Sequence, residues 1–246
     1  MHRRSRHVMF SARYAGAVLV LDSRTISGVS NGGTLSSWVE KSANGRTFTA
    51  ITGKRPTFQT SIQGGQPAVS FSATANSGGG TCMTTSITTA ENPTQYVWIC
   101  TNVPRNVGSD KHLVSTDDGS FSIINFSYVH FGGSFSGTST RFFSSNTYNV
   151  WIFSATAGTP YINSVGYNGS TIYGFRTNVS QSAPVIGTTT TRISLGGRLS
   201  GSDLDTSDLM QFLLFNSFIS KSLRRRFEVA ASLSFKIADI NNTATL

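Results

Sequence analysis

"TLSSWVEKSANGRTFTAIT", residues 34 to 52, reads as strand, turn, strand. Residues 34 to 41 form the first strand candidate, "SANGR" carries an Asn-Gly pair of the kind that closes a hairpin, and "RTFTAIT" alternates with period two. The same pattern continues outward. Downstream, "RPTFQT" is extended because Pro56 blocks helix, and "QPAVSFSA" (66 to 73) places Val69 and Phe71 on one face. Upstream, "AGAVLVLD" (15 to 22) is a short β-branched run, followed by the loop "SRTISGVSNGGT".

Further along, "QYVWICTNV" (95 to 103) is almost unbroken in apolar residues, as expected of a strand covered on both faces and therefore central. "KHLVST" (111 to 116), "SFSIINFSYVHF" (120 to 131), "TYNVWIFSAT" (147 to 156), "TRISLGGR" (191 to 198) and "DLMQFLLFNSF" (208 to 218) extend the series. "TPYINSVGYNGST" (159 to 171) predicts a hairpin closing at Asn168-Gly169. These add up to eleven to fourteen strand candidates, at the spacing of a sandwich or barrel. One helix stands out within 219 to 239, with Ser220 as N-cap and Leu223, Phe227, Ala230, Ala231 and Phe235 on one face. The spacing puts the arginines Arg224 to Arg226 largely on the opposite, solvated face.

Composition agrees. Only three Glu and five Lys stand against 37 Ser, 30 Thr, 24 Gly and 17 Phe, which starves helices and suits half-buried strands with tight turns. A chain of 246 residues fits one all-β domain, with residues 1 to 14 as a basic arm and 15 to 246 as a single sandwich.

The net charge of +9 suggests an anionic partner, but its distribution argues against specific nucleic-acid binding. Arg3, Arg4 and Arg6 with His2 and His7 form the arm, Arg224 to Arg226 form a second cluster, and the remaining cations are scattered without interleaved aromatics. The arm is expected to dock on an acidic protein surface through Arg3, Arg4 and Arg6. Cys82 and Cys100 match no zinc spacing and read as small buried hydrophobes. At the amino terminus, Arg13 and Tyr14 interrupt the apolar stretch, and Asp22 and Arg24 occupy the place of a cleavage site, so no signal peptide is expected. No run approaches the length of a membrane span.

"AVLVLDSR", "GGTLSSWVEKSANGR", "KRPTF" and "GGQPAVSFS", in that order, resemble the start of concanavalin A-like, laminin-G-like domains of bacterial and phage surface proteins. "ISLGGR" and "SDLMQFLLFNSFISKSLRRRFEVAASLSFKI" resemble the family's closing strands and helix. The resemblance covers roughly residues 15 to 75 and 191 to 238, and implies an antiparallel concanavalin A-like β-sandwich, or jelly roll, with one C-terminal helix. Within it Glu40 stands where the family often has Asp, Ala43 where it often has Gly, Ser72 where it often has Asp, and Gln211 where a Glu is common. At Ser72 and Gln211 an acidic group is lost, of a kind that in relatives supports turns or a calcium ion. Trp38 is expected to be a core anchor rather than a sugar platform.

Catalysis finds little support. Glu40, Glu91 and Glu228 are isolated, whereas a retaining glycosidase needs paired carboxylates about 5 Å apart. His2, His7, His112 and His130 are dispersed, no Gly-x-Ser-x-Gly elbow occurs, and "TGKRP" lacks the frame of a phosphate loop. Asp110, Asp117 and Asp118, and Asp203, Asp205 and Asp208, are oxygen-rich clusters of a kind that can hold Ca²⁺, but the second lacks the Gly and Glu of an EF-hand. No cofactor or metal is therefore expected. Binding through the loops at 23 to 33, 73 to 81, 132 to 146 and 197 to 207 remains, with Tyr148, Tyr161, Tyr167 and Tyr173 as aromatics able to stack on sugars.

The resulting expectation is a non-enzymatic virion structural protein: a phage capsid-decoration, spike or tail-associated chain in a larger or homo-oligomeric assembly. Its partners would be capsid or other virion proteins, with host-surface glycan as a further contact. The alternative is a secreted or cell-surface carbohydrate-binding module.

Overall fold

The computed structural model describes residues 14–73, 80–87, 95–105, 112–116, 121–124, 128–131, 148–151, 161–167, 171–174, 179–182, 191–197 and 206–237. Its first strand, β1 (Leu19–Asp22), runs into a short 3-10 turn at Ser23–Thr25. Two antiparallel sheets follow. One has the order β14 (Val179–Ser182), β13 (Thr171–Gly174), β12 (Tyr161–Tyr167), β7 (Tyr96–Pro104), β16 (Ser207–Phe215), β5 (Gln66–Ser70), β4 (Thr57–Gln63), and β1 also lies against β16. The other has the order β11 (Tyr148–Trp151), β10 (Tyr128–Phe131), β9 (Phe121–Ile124), β8 (His112–Thr116), β15 (Arg192–Leu195), β6 (Met83–Ser86), β3 (Thr47–Ala50), β2 (Ser37–Val39).

The hairpin at 34 to 52 forms in the expected register. Trp38 faces Phe48 across β2 and β3, and Gly45 takes the positive φ of 60° that its turn requires. Alternation then fixes the faces: Trp38 and Phe48 are buried, while Ser37, Val39, Thr47 and Thr49 point outward. "SFSIINFSYVHF" divides into two strands, because Val129 pairs back on Ile123 and the chain must reverse between them. β12 and β13 pair antiparallel as the predicted hairpin demands, with Tyr167 opposite Ile172. Asn168-Gly169 lies outside the described residues.

Two apolar layers explain why β7 and β16 read as continuous hydrophobic runs. Trp98 and Cys100 of β7, with Leu209 and Phe212 of β16, enter a core shared with Trp38, Phe48, Met83 and Leu195 of the second sheet. The alternate residues Val97, Ile99, Met210, Leu213 and Phe215 enter a second layer, closed by the helix α1 (Lys221–Phe235). A bulge between Leu209 and Gln211 adjusts the phase of β16 against β7. The molecule is thus an all-β antiparallel sandwich with one C-terminal helix laid over its first sheet. Each large side chain buried in these layers contributes about 1.5–3 kcal/mol.

The helix starts as its sequence requires. Ser220 accepts the Leu223 amide at 3.3 Å, and Phe227, Ala231 and Phe235 turn inward, with the Phe227 and Phe215 rings 5.0 Å apart. Lys236 closes the helix in the left-handed conformation, φ 50°. The arginine cluster departs from its expected solvated position: Arg224 is buried, one turn before Glu228, and only Arg226 is fully turned outward. Tyr14, taken from the sequence as the end of the arm, is also buried and stacks 6.4 Å from Phe227.

One glycine is required by packing. Gly196, just after β15, has φ +77°, and a Cβ there would lie 2.1 Å from a ring carbon of Phe71. Among the described residues no helix is long and apolar enough to cross a membrane.

Candidate functional site

Arg3, Arg4 and Arg6 lie outside the described residues, as do Asp110, Asp117, Asp118, Asp203 and Asp205. Asp208 belongs to β16 rather than to a loop, and it is fully buried. Trp38 is 1% exposed with its indole Nε1 lacking a hydrogen-bond partner, which makes it a core anchor. Tyr161 is buried at the start of β12. Tyr148, Tyr167 and Tyr173 sit on β11, β12 and β13. The loop at 23 to 33 is described, whereas the loop at 132 to 146 is not, and only parts of those at 73 to 81 and 197 to 207 are. Among the described residues, no group of three His, Cys, Asp or Glu gathers as metal ligands would.

Among the described residues four carboxylates are buried, and each is engaged by the scaffold. Glu40 organises the turn of the first hairpin. Its Oε2 accepts the amides of Val20 at 3.1 Å and Ser42 at 2.6 Å, and its Oε1 accepts the Ser42 hydroxyl at 2.7 Å and the Arg46 amide at 3.1 Å. Ser42, Asn44 and Arg46 each donate from their side chains to the Val18 carbonyl, which fastens the turn to the chain leading into β1. Burial lowers the Arg46 guanidinium pKa, with Glu40 opposing that effect.

Asp22 is held differently. Its Oδ1 accepts the Arg24 amide at 3.0 Å and Nε at 2.8 Å, while Oδ2 takes Arg24 Nη2 at 2.5 Å and the Tyr14 hydroxyl at 2.8 Å. Gln211 Nε2 donates to the Tyr14 hydroxyl at 2.8 Å, and the Arg24 guanidinium lies 4.8 Å over the Phe235 ring. Burial would lower the Arg24 pKa, but its bonds to Asp22 and Tyr14 prevail and raise it.

Asp208 accepts Arg105 Nε at 2.7 Å and pairs with its Nη2 at 2.6 Å, and Ser70 donates to its other oxygen. Glu228, on the inner side of α1, accepts the Ser164 hydroxyl of β12 at 2.5 Å, with Arg224 Nε at 3.7 Å and Arg225 Nη1 at 3.5 Å. Burial depresses the Arg224 pKa, with Glu228 opposing. These carboxylates brace strands, turn and helix through lone pairs already occupied by donors.

The outer face of α1 has the opposite character. Leu233 is 76% exposed and Val229 38%, and of the four exposed large apolar side chains among the described residues, three (Phe218, Val229, Leu233) lie on the helix or its approach. A shallow groove of about 700 Å³ runs beside them, lined by Ala15, Leu223, Phe227, Ala230 and Leu233 and flanked by Arg225 and Arg226. Arg226 is exposed and has no ion-pair partner among the described residues. The spacing identified only the inward stripe, and Leu233 could have been singled out as the one leucine of the helix outside it.

No family model matches the sequence, and no curated protein matches it. Solved structures do resemble the fold. Trypanosoma rangeli sialidase superposes with a TM-score of 0.54 at 12% identity, over 92% of this chain and 34% of its own. The binding domain of botulinum neurotoxin DC, solved in complex with rat synaptotagmin II, gives 0.56 at 9% identity, over 87% of this chain and 51% of its own. The binding domain of Paraclostridial Mosquitocidal Protein 1 gives 0.56 at 12%, over 89% and 53%. This chain therefore spans about a third of the sialidase and about half of the toxin binding domains, and at such identities the likeness is one of β-sandwich fold.

Proposed function

We propose that this chain is a non-enzymatic, lectin-like binding module, and that it serves as a virion structural protein of the capsid-decoration, spike or tail-associated kind. The observation that carries the non-enzymatic reading is the state of the buried carboxylates. Among the described residues, Asp22, Glu40, Asp208 and Glu228 each have their oxygens engaged by scaffold donors, whereas a glycosidase of the paired-carboxylate kind needs two carboxyl groups facing substrate. The sandwich shared with toxin binding domains supports a binding role, and the concanavalin A-like, laminin-G-like resemblance of both ends of the chain supports the same class.

Under this reading one sandwich begins at the buried Tyr14 and runs to residue 246, and residues 1 to 13 are an arm whose Arg3, Arg4 and Arg6 dock on an acidic shell. Mass spectrometry of the purified native particle tests it: fixed high copy alongside a major capsid protein is the expected result. Recovery only as free protein or on a cell surface would replace it with the second reading, a carbohydrate-binding module, which the likeness to toxin binding domains favours. A glycan array with and without Ca²⁺ then identifies the sugar. Release of free sugar from any arrayed glycan would overturn the non-enzymatic reading.

A further inference from the structure

We infer that the outer face of α1 is a docking surface for an acidic, amphipathic segment of a partner protein. The inference rests on the binding-module reading and names a second contact, separate from the arm. Its apolar half is Val229, Leu233 and the groove floor of Leu223, Phe227 and Ala230, and its polar half is cationic, Arg225 and Arg226. Glu228, the one acid of the helix, faces inward to Ser164 and reaches Arg225 Nη1 at 3.5 Å, so no carboxylate on the helix answers Arg226. A surface that offers leucine and guanidinium together fits apolar anchors flanked by Asp or Glu.

Charge decides among the occupants. The chain's own arm begins beside the groove at Ala15, but it carries Arg3, Arg4, Arg6 and Arg13 and would meet like charge. A second copy placed symmetrically would gather both copies' Arg225 and Arg226 into one interface, adding like charge. A polyanion without apolar groups would leave Leu233 in water, and a flat anionic membrane would not fill a groove.

The test is a fluorescence titration of the full chain with a labelled helical peptide of about four turns, leucines along one face and glutamates on the other. Binding that weakens as salt rises is expected, and both L233E and R226E should weaken it by more than about tenfold while leaving the melting temperature unchanged. Equal binding by both variants and the wild type overturns the proposal, and so does failure of the wild type to bind. Equal binding of a peptide with its glutamates scrambled across both faces overturns it in favour of charge alone. Binding to phosphatidylserine vesicles in place of the peptide assigns the face to a membrane. A gain of more than about tenfold on deleting residues 1 to 13 assigns the groove to the chain's own arm. The particle and glycan-array results are independent of this titration, so the two readings fail separately.

Discussion

Glu40 and Asp22 are both buried carboxylates beside β1, and they are satisfied in opposite ways. Glu40 collects three main-chain amides and one hydroxyl, nearly all from the turn it belongs to. Asp22 collects a guanidinium, a phenol and an amide side chain, contributed by Arg24, Tyr14 and Gln211. The first arrangement is a local device, one residue capping its own hairpin and tying it to β1. The second is a clasp that joins the chain entering β1 to the next-to-last element, with Arg24 reaching on to Phe235 of α1. Local devices hold a turn, and clasps hold a fold together.

The difference predicts a ranking. Asp22→Ala leaves the half-buried Arg24 guanidinium without its anion and strips Tyr14 and Gln211 of an acceptor, so urea denaturation should show a loss of about 3 kcal/mol. Asp22→Ala combined with Arg24→Leu should recover part of that loss, because no uncompensated charge remains. Glu40→Gln should cost less, about 2 kcal/mol, since only one of its two acceptor oxygens becomes a donor facing amides. A Glu40→Gln loss as large as that of Asp22→Ala would erase the distinction between cap and clasp.

Gln211→Glu sharpens the comparison by placing a second carboxylate within reach of Asp22, where Gln211 Nε2 now sits 3.4 Å from Oδ2. The added acid would have a folded pKa raised above its unfolded value, so its stability deficit should be absent at low pH and grow to about 1–2 kcal/mol as pH rises towards neutrality. A melting-temperature difference from wild type that stays constant from acid to neutral pH would contradict the clasp geometry.

The smallest effect concerns the thiol of Cys82. Burial pushes the Cys82 thiol up to about 12, with Lys54 opposing, so it stays protonated and inaccessible in the folded chain. Cys82 and Cys100 should both resist a thiol reagent natively and both react in denaturant. Because the folded thiol binds its proton more tightly than the unfolded one, stability should begin to fall slightly as pH rises above 9. Rapid native labelling of either thiol would contradict its burial.

How much of this was legible in the sequence follows the same division. The hairpin around Gly45, the doubly covered β7, and the Ser220 cap of α1 all rest on neighbours within a few positions, and periodicity or turn chemistry reveals such features. Trp38 as a core residue was legible from its size and place on a strand. Arg224 was placed on the wet side because helical spacing alone says nothing of Glu228 drawing a cation inward over β12. Tyr14 was assigned to the arm because its partners, Asp22 and Gln211, are united only by the pairing of β1 with β16. The outer face of α1 is not legible from spacing, because exposure of Leu233 depends on which side of the helix the sheet occupies. Tertiary packing, not composition, supplies each missing piece.

The pairing of strands also sets the order in which the polypeptide can be completed. Among the described residues β1 pairs with β16, Leu19 opposite Leu214, and β7 pairs with the same late strand. A growing chain leaving the ribosome would therefore hold Leu19, Val20 and Leu21 without their neighbour until nearly two hundred further residues had been made, roughly ten to forty seconds of synthesis. Contacts of such sequence separation belong to slow folders, in the millisecond-to-second range. During synthesis the nascent chain exposes a sticky apolar strand, so its yield in a cell should depend on chaperone supply more than the melting temperature of the finished protein would suggest.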